Sequence, residues 1–166
     1  MAEVEILDVV RGDLNPQFFW GGGIDTPAAG VQQNHYALLA SGWVLHRDTD
    51  ELTIEAISEA RPIVSWQVNR ERRDVVASIQ APANPFCGFQ GVFQLSSLPR
   101  KFEIRIEVVT TDSRSLLATI HGRRSALTSA SQDGIQPALI TTLGRTGSTL
   151  LMLLLGQHPE LVVHPP

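Results

Sequence analysis

Between residues 102 and 108 the chain alternates strictly. Phe102, Ile104, Ile106 and Val108 are apolar, and Glu103, Arg105 and Glu107 between them are charged. A side-chain period of two puts each set on its own face of an extended chain, one buried and one wet, which is the mark of an antiparallel sheet. The same signal recurs upstream. Leu52, Ile54 and Ala56 alternate with Thr53 and Glu55, and Val64, Trp66 and Val68 with Ser65 and Gln67. Phe89, Gly91, Phe93 and Leu95 alternate with Gln90 and Gln94, and Leu116, Ala118 and Ile120 follow a turn at 110–114. Residues 5–10 read as a first strand or a lead-in, 37–45 as one strand or two joined at Gly42, and 74–80 as a short helical turn. Six or seven short strands with turn signals between them predict a mainly β domain over residues 1–124, an immunoglobulin-like antiparallel β-sandwich.

Residues 11–29 break the pattern. Asn15-Pro16, the run Gly21-Gly22-Gly23 and Pro27 read as a flexible surface loop, because no helix pattern follows the glycines to make a phosphate site of them. Trp20, Trp43, Trp66 and Tyr36 are expected in the core. Arg70, Arg72 and Arg73 form the densest basic cluster, but Glu71 and Asp74 dilute it to a solvated, mixed-charge turn.

With 166 residues and 43% hydrophobic content, the chain can bury one sizeable core and part of another. A net charge of −4, from 13 basic against 17 acidic residues, argues against a nucleic-acid or anionic-membrane partner. The single cysteine, Cys87, leaves no internal disulfide framework or cysteine-rich zinc site and reads as a half-buried thiol. The five histidines show no paired ligand spacing, so no metal is expected. The first residues carry neither a basic stretch nor a long apolar run, and no segment is long enough to span a bilayer, so the expected location is cytoplasmic.

Residues 125–137 (SALTSASQDGIQP) are small and polar and read as a linker. Beyond them the pattern changes. An apolar segment (Ala138, Leu139, Ile140) leads to Gly144-Arg145-Thr146-Gly147-Ser148-Thr149, and then to an apolar block from Leu150 to Leu155. A buried strand, a glycine loop and a buried helix in that order form a nest of backbone N–H groups at a helix N-terminus, suited to a phosphate-like anion. Arg145 adds a cation, and Ser148 and Thr149 add hydroxyl donors. The Walker A pattern fails: with Gly147 as its second glycine, the first falls at Thr142 and the lysine at Ser148. The only lysine is Lys101, which disfavours a nucleotide kinase or triphosphatase with a divergent loop.

Gly144-Arg145-Thr146-Gly147-Ser148-Thr149-Leu150-Leu151, followed by His158-Pro159-Glu160, resembles the 5′-phosphosulfate loop of the sulfotransferases that use 3′-phosphoadenosine 5′-phosphosulfate (PAPS). The resemblance covers about the last thirty residues. It implies that 138–166 begin a P-loop-like α/β sulfotransferase domain. It also implies that Arg145 is catalytic and contacts the 5′-phosphosulfate, with Thr146, Gly147, Ser148 and Thr149 binding the same group. The co-substrate would be PAPS, with no metal, and the acceptor a small molecule, carbohydrate or protein. Ser41-Gly42-Trp43, Arg73-Asp74-Val75, Gly88-Phe89, Leu98-Pro99 and Phe102-Glu103-Ile104-Arg105 more weakly resemble β-sandwich modules that precede bacterial glycosyltransferase and sulfotransferase domains.

Two departures accompany the resemblance. The family's general base falls near Pro165 or Pro166, neither of which can accept a proton, and its 3′-phosphate site lies further along. The chain is therefore expected to be a fragment, inactive alone. The rival expectation is a non-catalytic β-sandwich module that binds glycan or protein.

Overall fold

In the computed structural model the described residues are 3–49, 51–80 and 84–126, within a compact unit spanning Met1–Thr128. The strand–loop–helix expected at 138–166 and the linker at 125–137, apart from Ser125 and Ala126, lie outside them.

Among the described residues the fold is mainly β, with antiparallel sheets and one short helix. The strands are β1 (Val4–Arg11), β2 (Phe19–Thr26), β3 (Gln32–Gln33), β4 (Ala37–His46), β5 (Thr53–Ser58) and β6 (Arg61–Gln67). After the helix α1 (Arg73–Ile79) come β7 (Gly88–Gln94), β8 (Lys101–Val109) and β9 (Arg114–Arg124). One sheet runs β3-β1-β9-β8-β5-β6 and the other β2-β4-β7. This order differs from the four-plus-three strands of an immunoglobulin constant domain, and β1 and β9, the first and last strands among the described residues, lie side by side.

The alternation in β8 does what its period dictates. Phe102, Ile104, Ile106 and Val108 are buried, while Glu103 and Arg105 are exposed. They share one core with Ile54 and Ala56 of β5, Val4 and Ile6 of β1, Ile120 of β9, and Leu38, Ala40, Val44, Phe89 and Phe93 from the smaller sheet. Each large side chain buried there contributes about 1.5–3 kcal/mol. The segment 37–46 is one continuous strand with no break at Gly42.

Three expectations are corrected. The triple glycine is not a loop but the middle of β2, paired with β4 through Gly21↔Leu45, Gly22↔Val44 and Gly23↔Trp43. Its glycines serve close packing. A Cβ on Gly22 would lie 2.7 Å from Leu117 and 2.8 Å from Leu14, and one on Gly21 would lie 3.1 Å from the Trp43 ring. In β9 the buried residue is Leu117 rather than Leu116, because a bulge opposite Ile106/Glu107 shifts the register. Trp20 is not a core residue either. It is 39% exposed, with the Arg47 guanidinium stacked 3.7 Å above its ring.

Both ends of the domain are tied together. The Tyr36 hydroxyl donates to Glu3 Oε2 at 2.6 Å, and the Ser125 hydroxyl donates to the same oxygen. These bonds, Ser125 first and Tyr36 second, hold the Glu3 carboxyl below its ordinary range. Among the described residues no helix is long and apolar enough to cross a membrane.

Candidate functional site

The residues expected to bind PAPS, namely Arg145, Thr146, Gly147, Ser148 and Thr149, lie outside the described residues. Among the described residues, a depression of about 430 Å³ opens where β2, β4 and β7 meet the segment leading into α1.

The register builds its floor. Thr26 pairs with Ser41, and Ser41 with Gln90, so that three strands place position 41 at the centre of the row. A register shift between Ile24 and Thr26 interrupts β2 at Asp25. Bulges of this kind re-aim a side chain, and here the bulge accompanies Asp25 at the rim of the depression.

The wall is the chain from Asn69 to Arg72. The Asn69 and Arg70 amides donate to the Gly88 carbonyl at 3.0 and 2.8 Å, and the Gly88 amide returns a bond to the Arg70 carbonyl at 2.8 Å. Gly88 is required at this crossing, since a Cβ there would lie 2.8 Å from Arg72 Cγ and 3.1 Å from the Arg70 carbonyl oxygen. The Arg72 guanidinium then reaches across. Its Nη1 donates to Asp25 Oδ2 at 2.5 Å, its Nε to Asp74 Oδ1 at 3.0 Å and its Nη2 to Asp74 Oδ2 at 2.9 Å. Asp74 first, and Asp25 after it, raise the Arg72 pKa above its ordinary value, while Arg72 lowers that of Asp74. The expected solvated turn is thus a strut joining β2 to the start of α1, and the Arg72 side chain is only 25% exposed.

Four polar groups around this strut are unengaged. The side chains of Ser41, Arg70 and Gln90 make no hydrogen bond or ion pair among the described residues, and Asp25 keeps Oδ1 free. Nothing local in the sequence marks them: Asp25 sits in what reads as a loop, Arg70 in what reads as a solvated turn, Ser41 within a strand segment and Gln90 at the wet position of another.

A second depression, of about 380 Å³, lies beside the β5–β6 turn and is lined by Ser58, Glu59, Lys101, Glu103 and Arg105 among others. The Ser58 hydroxyl closes one side by donating to the Glu103 carbonyl at 2.8 Å. Among the described residues no group of three or more His, Cys, Asp or Glu is placed to hold a metal ion.

The class this architecture defines is an antiparallel β domain with an open, polar depression on the outer side of its smaller sheet. Comparison with protein-family models, with curated proteins and with solved structures finds no match.

Proposed function

We propose that the protein is a PAPS-dependent sulfotransferase, with residues 1–124 as a β accessory domain ahead of a P-loop-like α/β part beginning at 138–166. One observation carries this reading: the order of an apolar segment, Gly144-Arg145-Thr146-Gly147-Ser148-Thr149, an apolar block and His158-Pro159-Glu160 along the sequence.

The chemistry asks for those residue types. An acceptor oxygen or nitrogen attacks sulfur, the bond from sulfur to the bridging 5′-phosphate oxygen breaks, and its electron pair stays on that oxygen. The acceptor's proton leaves to a base. Arg145 and the backbone N–H groups of Thr146–Thr149 stabilise the charge that develops on the leaving phosphate, and positioning of the two reactants supplies the rest. Each well-aimed donor of this kind contributes about 3 kcal/mol in comparable oxyanion sites. The acceptor class covers carbohydrates, small metabolites and protein side chains.

The test is calorimetric titration of adenosine 3′,5′-bisphosphate, with ATP alongside, into the full-length product of the gene and its Arg145→Ala variant. Selective binding of the bisphosphate that is lost in the variant is the expected result. Equal binding of ATP, or no binding of the bisphosphate, overturns the reading.

A further inference from the structure

We propose that the depression bounded by Asp25, Ser41, Arg70 and Gln90 is a binding site for an uncharged saccharide. This proposal does not rest on sulfuryl transfer and stands whether or not residues 138–166 bind PAPS.

Charge points to a neutral ligand. Asp25 and Asp74 are both paired with Arg72, and Glu71 with Arg73 at 2.6 Å. With Arg70, the acidic side chains Asp25, Glu71 and Asp74 and the basic side chains Arg70, Arg72 and Arg73 sum to no net charge. Arg72 is already held by two carboxylates and is not free to receive a phosphate or sulfate. Among the lining residues Arg70 is the cation without an ion pair, and Oδ1 of Asp25 is without a hydrogen bond.

The mix of donors and acceptors points to hydroxyl groups. Arg70 only donates and Asp25 Oδ1 only accepts, whereas the Ser41 hydroxyl and the Gln90 amide do both. A sugar hydroxyl also does both, so a saccharide offers each of these groups a partner of matching kind. A peptide meets a less suitable surface. A peptide adding a strand would use the free edge of β7, but at Gly88 that edge is already bonded to Arg70.

The site is also built in advance. Ser41 and Gln90 are directly opposed on paired strands, and the Arg72 strut fixes Asp25 against the wall. Asp25 is thus held before binding, while Arg70 and Gln90 lose side-chain freedom on binding. The volume lies within the range of small-ligand pockets, about 300–1,000 Å³.

The experiment exposes the full chain to a printed array of neutral glycans that covers the common hexoses, hexosamines and pentoses, with sulfated glycans alongside. Each hit is then titrated as the free oligosaccharide and followed by amide chemical shifts. Expected is binding of at least one neutral glycan, with shifts centred on Asp25, Ser41, Arg70 and Gln90. Affinity should fall at least about tenfold in Gln90→Ala and in Ser41→Ala, in line with the loss of hydrogen bonds to a bound group. Both side chains lie on the wet side of the sheet, so melting temperatures should match the parent protein. No neutral hit, hits confined to sulfated glycans, or binding unchanged in both variants overturns the proposal. Sulfated-only binding that also vanishes in Arg145→Ala assigns the response to the 144–149 loop instead.

Discussion

Trp66 fills the space that a side chain at position 91 would need: any Cβ on Gly91 collides with its indole Nε1. The indole comes from β6 at the margin of the larger sheet and stacks on Phe89 of the smaller, 6.5 Å between centroids and 12° from parallel. It also meets Phe93 at 5.7 Å, so one ring closes the two sheets along this side.

Gly91→Ala should therefore destabilise the domain by about 3 kcal/mol, the upper range for overpacking a filled core. Urea unfolding measures it. The double variant Gly91→Ala/Trp66→Leu should cost less than the sum of the two single changes, since the collision and the ring disappear together.

The β5–β6 hairpin turns through Glu59 and Ala60, whose φ angles are +49° and +61°, between the paired residues Ser58 and Arg61. Two-residue turns of this hand favour Asn-Gly, because other residues crowd their own carbonyl. Replacing the pair by Glu59→Asn/Ala60→Gly should raise stability by about 1–2 kcal/mol, seen as a higher urea midpoint at unchanged slope.

Glu3 carries a pH signature. Its carboxyl is held below the ordinary value of 4.5 by Ser125 and Tyr36, so its folded pKa is depressed. The stability it contributes is present above the unfolded value and is lost as pH falls through the folded one. The gap in urea midpoint between the parent protein and Tyr36→Phe should be constant from neutral pH down to about 4.5 and then narrow in more acid solution. A gap that widens on acidification contradicts this.

Cys87 is 4% exposed, and burial pushes its thiol pKa up. It packs with Leu45 and Val75 beneath α1. Its reaction with a disulfide reagent at neutral pH should be slow in the native protein, and reach the rate of a free thiol only in denaturant.

How much of this was legible follows from the range of each signal. β8 announces itself because a two-residue period lies within seven consecutive positions. β2 does not, since its centre is three glycines whose purpose is set by Trp43, Leu14 and Leu117 elsewhere in the chain. The shift from Leu116 to Leu117 is invisible for a similar reason: a bulge opposite Ile106/Glu107 decides it, and the β9 residues alone do not. The polar depression rests on Arg72 meeting Asp25, a pair 47 positions apart. The loop proposed at 144–149 is the opposite case: every residue that proposal rests on falls within a few positions, so it is argued from sequence alone.

The pairing of β1 with β9 has a consequence for the order in which the domain can assemble. Among the described strands β1 is made first, yet β9, its long neighbour in the sheet, is made last. Until residues 114–124 have left the ribosomal exit tunnel, β3-β1 and β8-β5-β6 lack the strand that joins them within the sheet. Within this domain the larger sheet can therefore be completed only once β9 is available, and until then its neighbours keep unpaired edges.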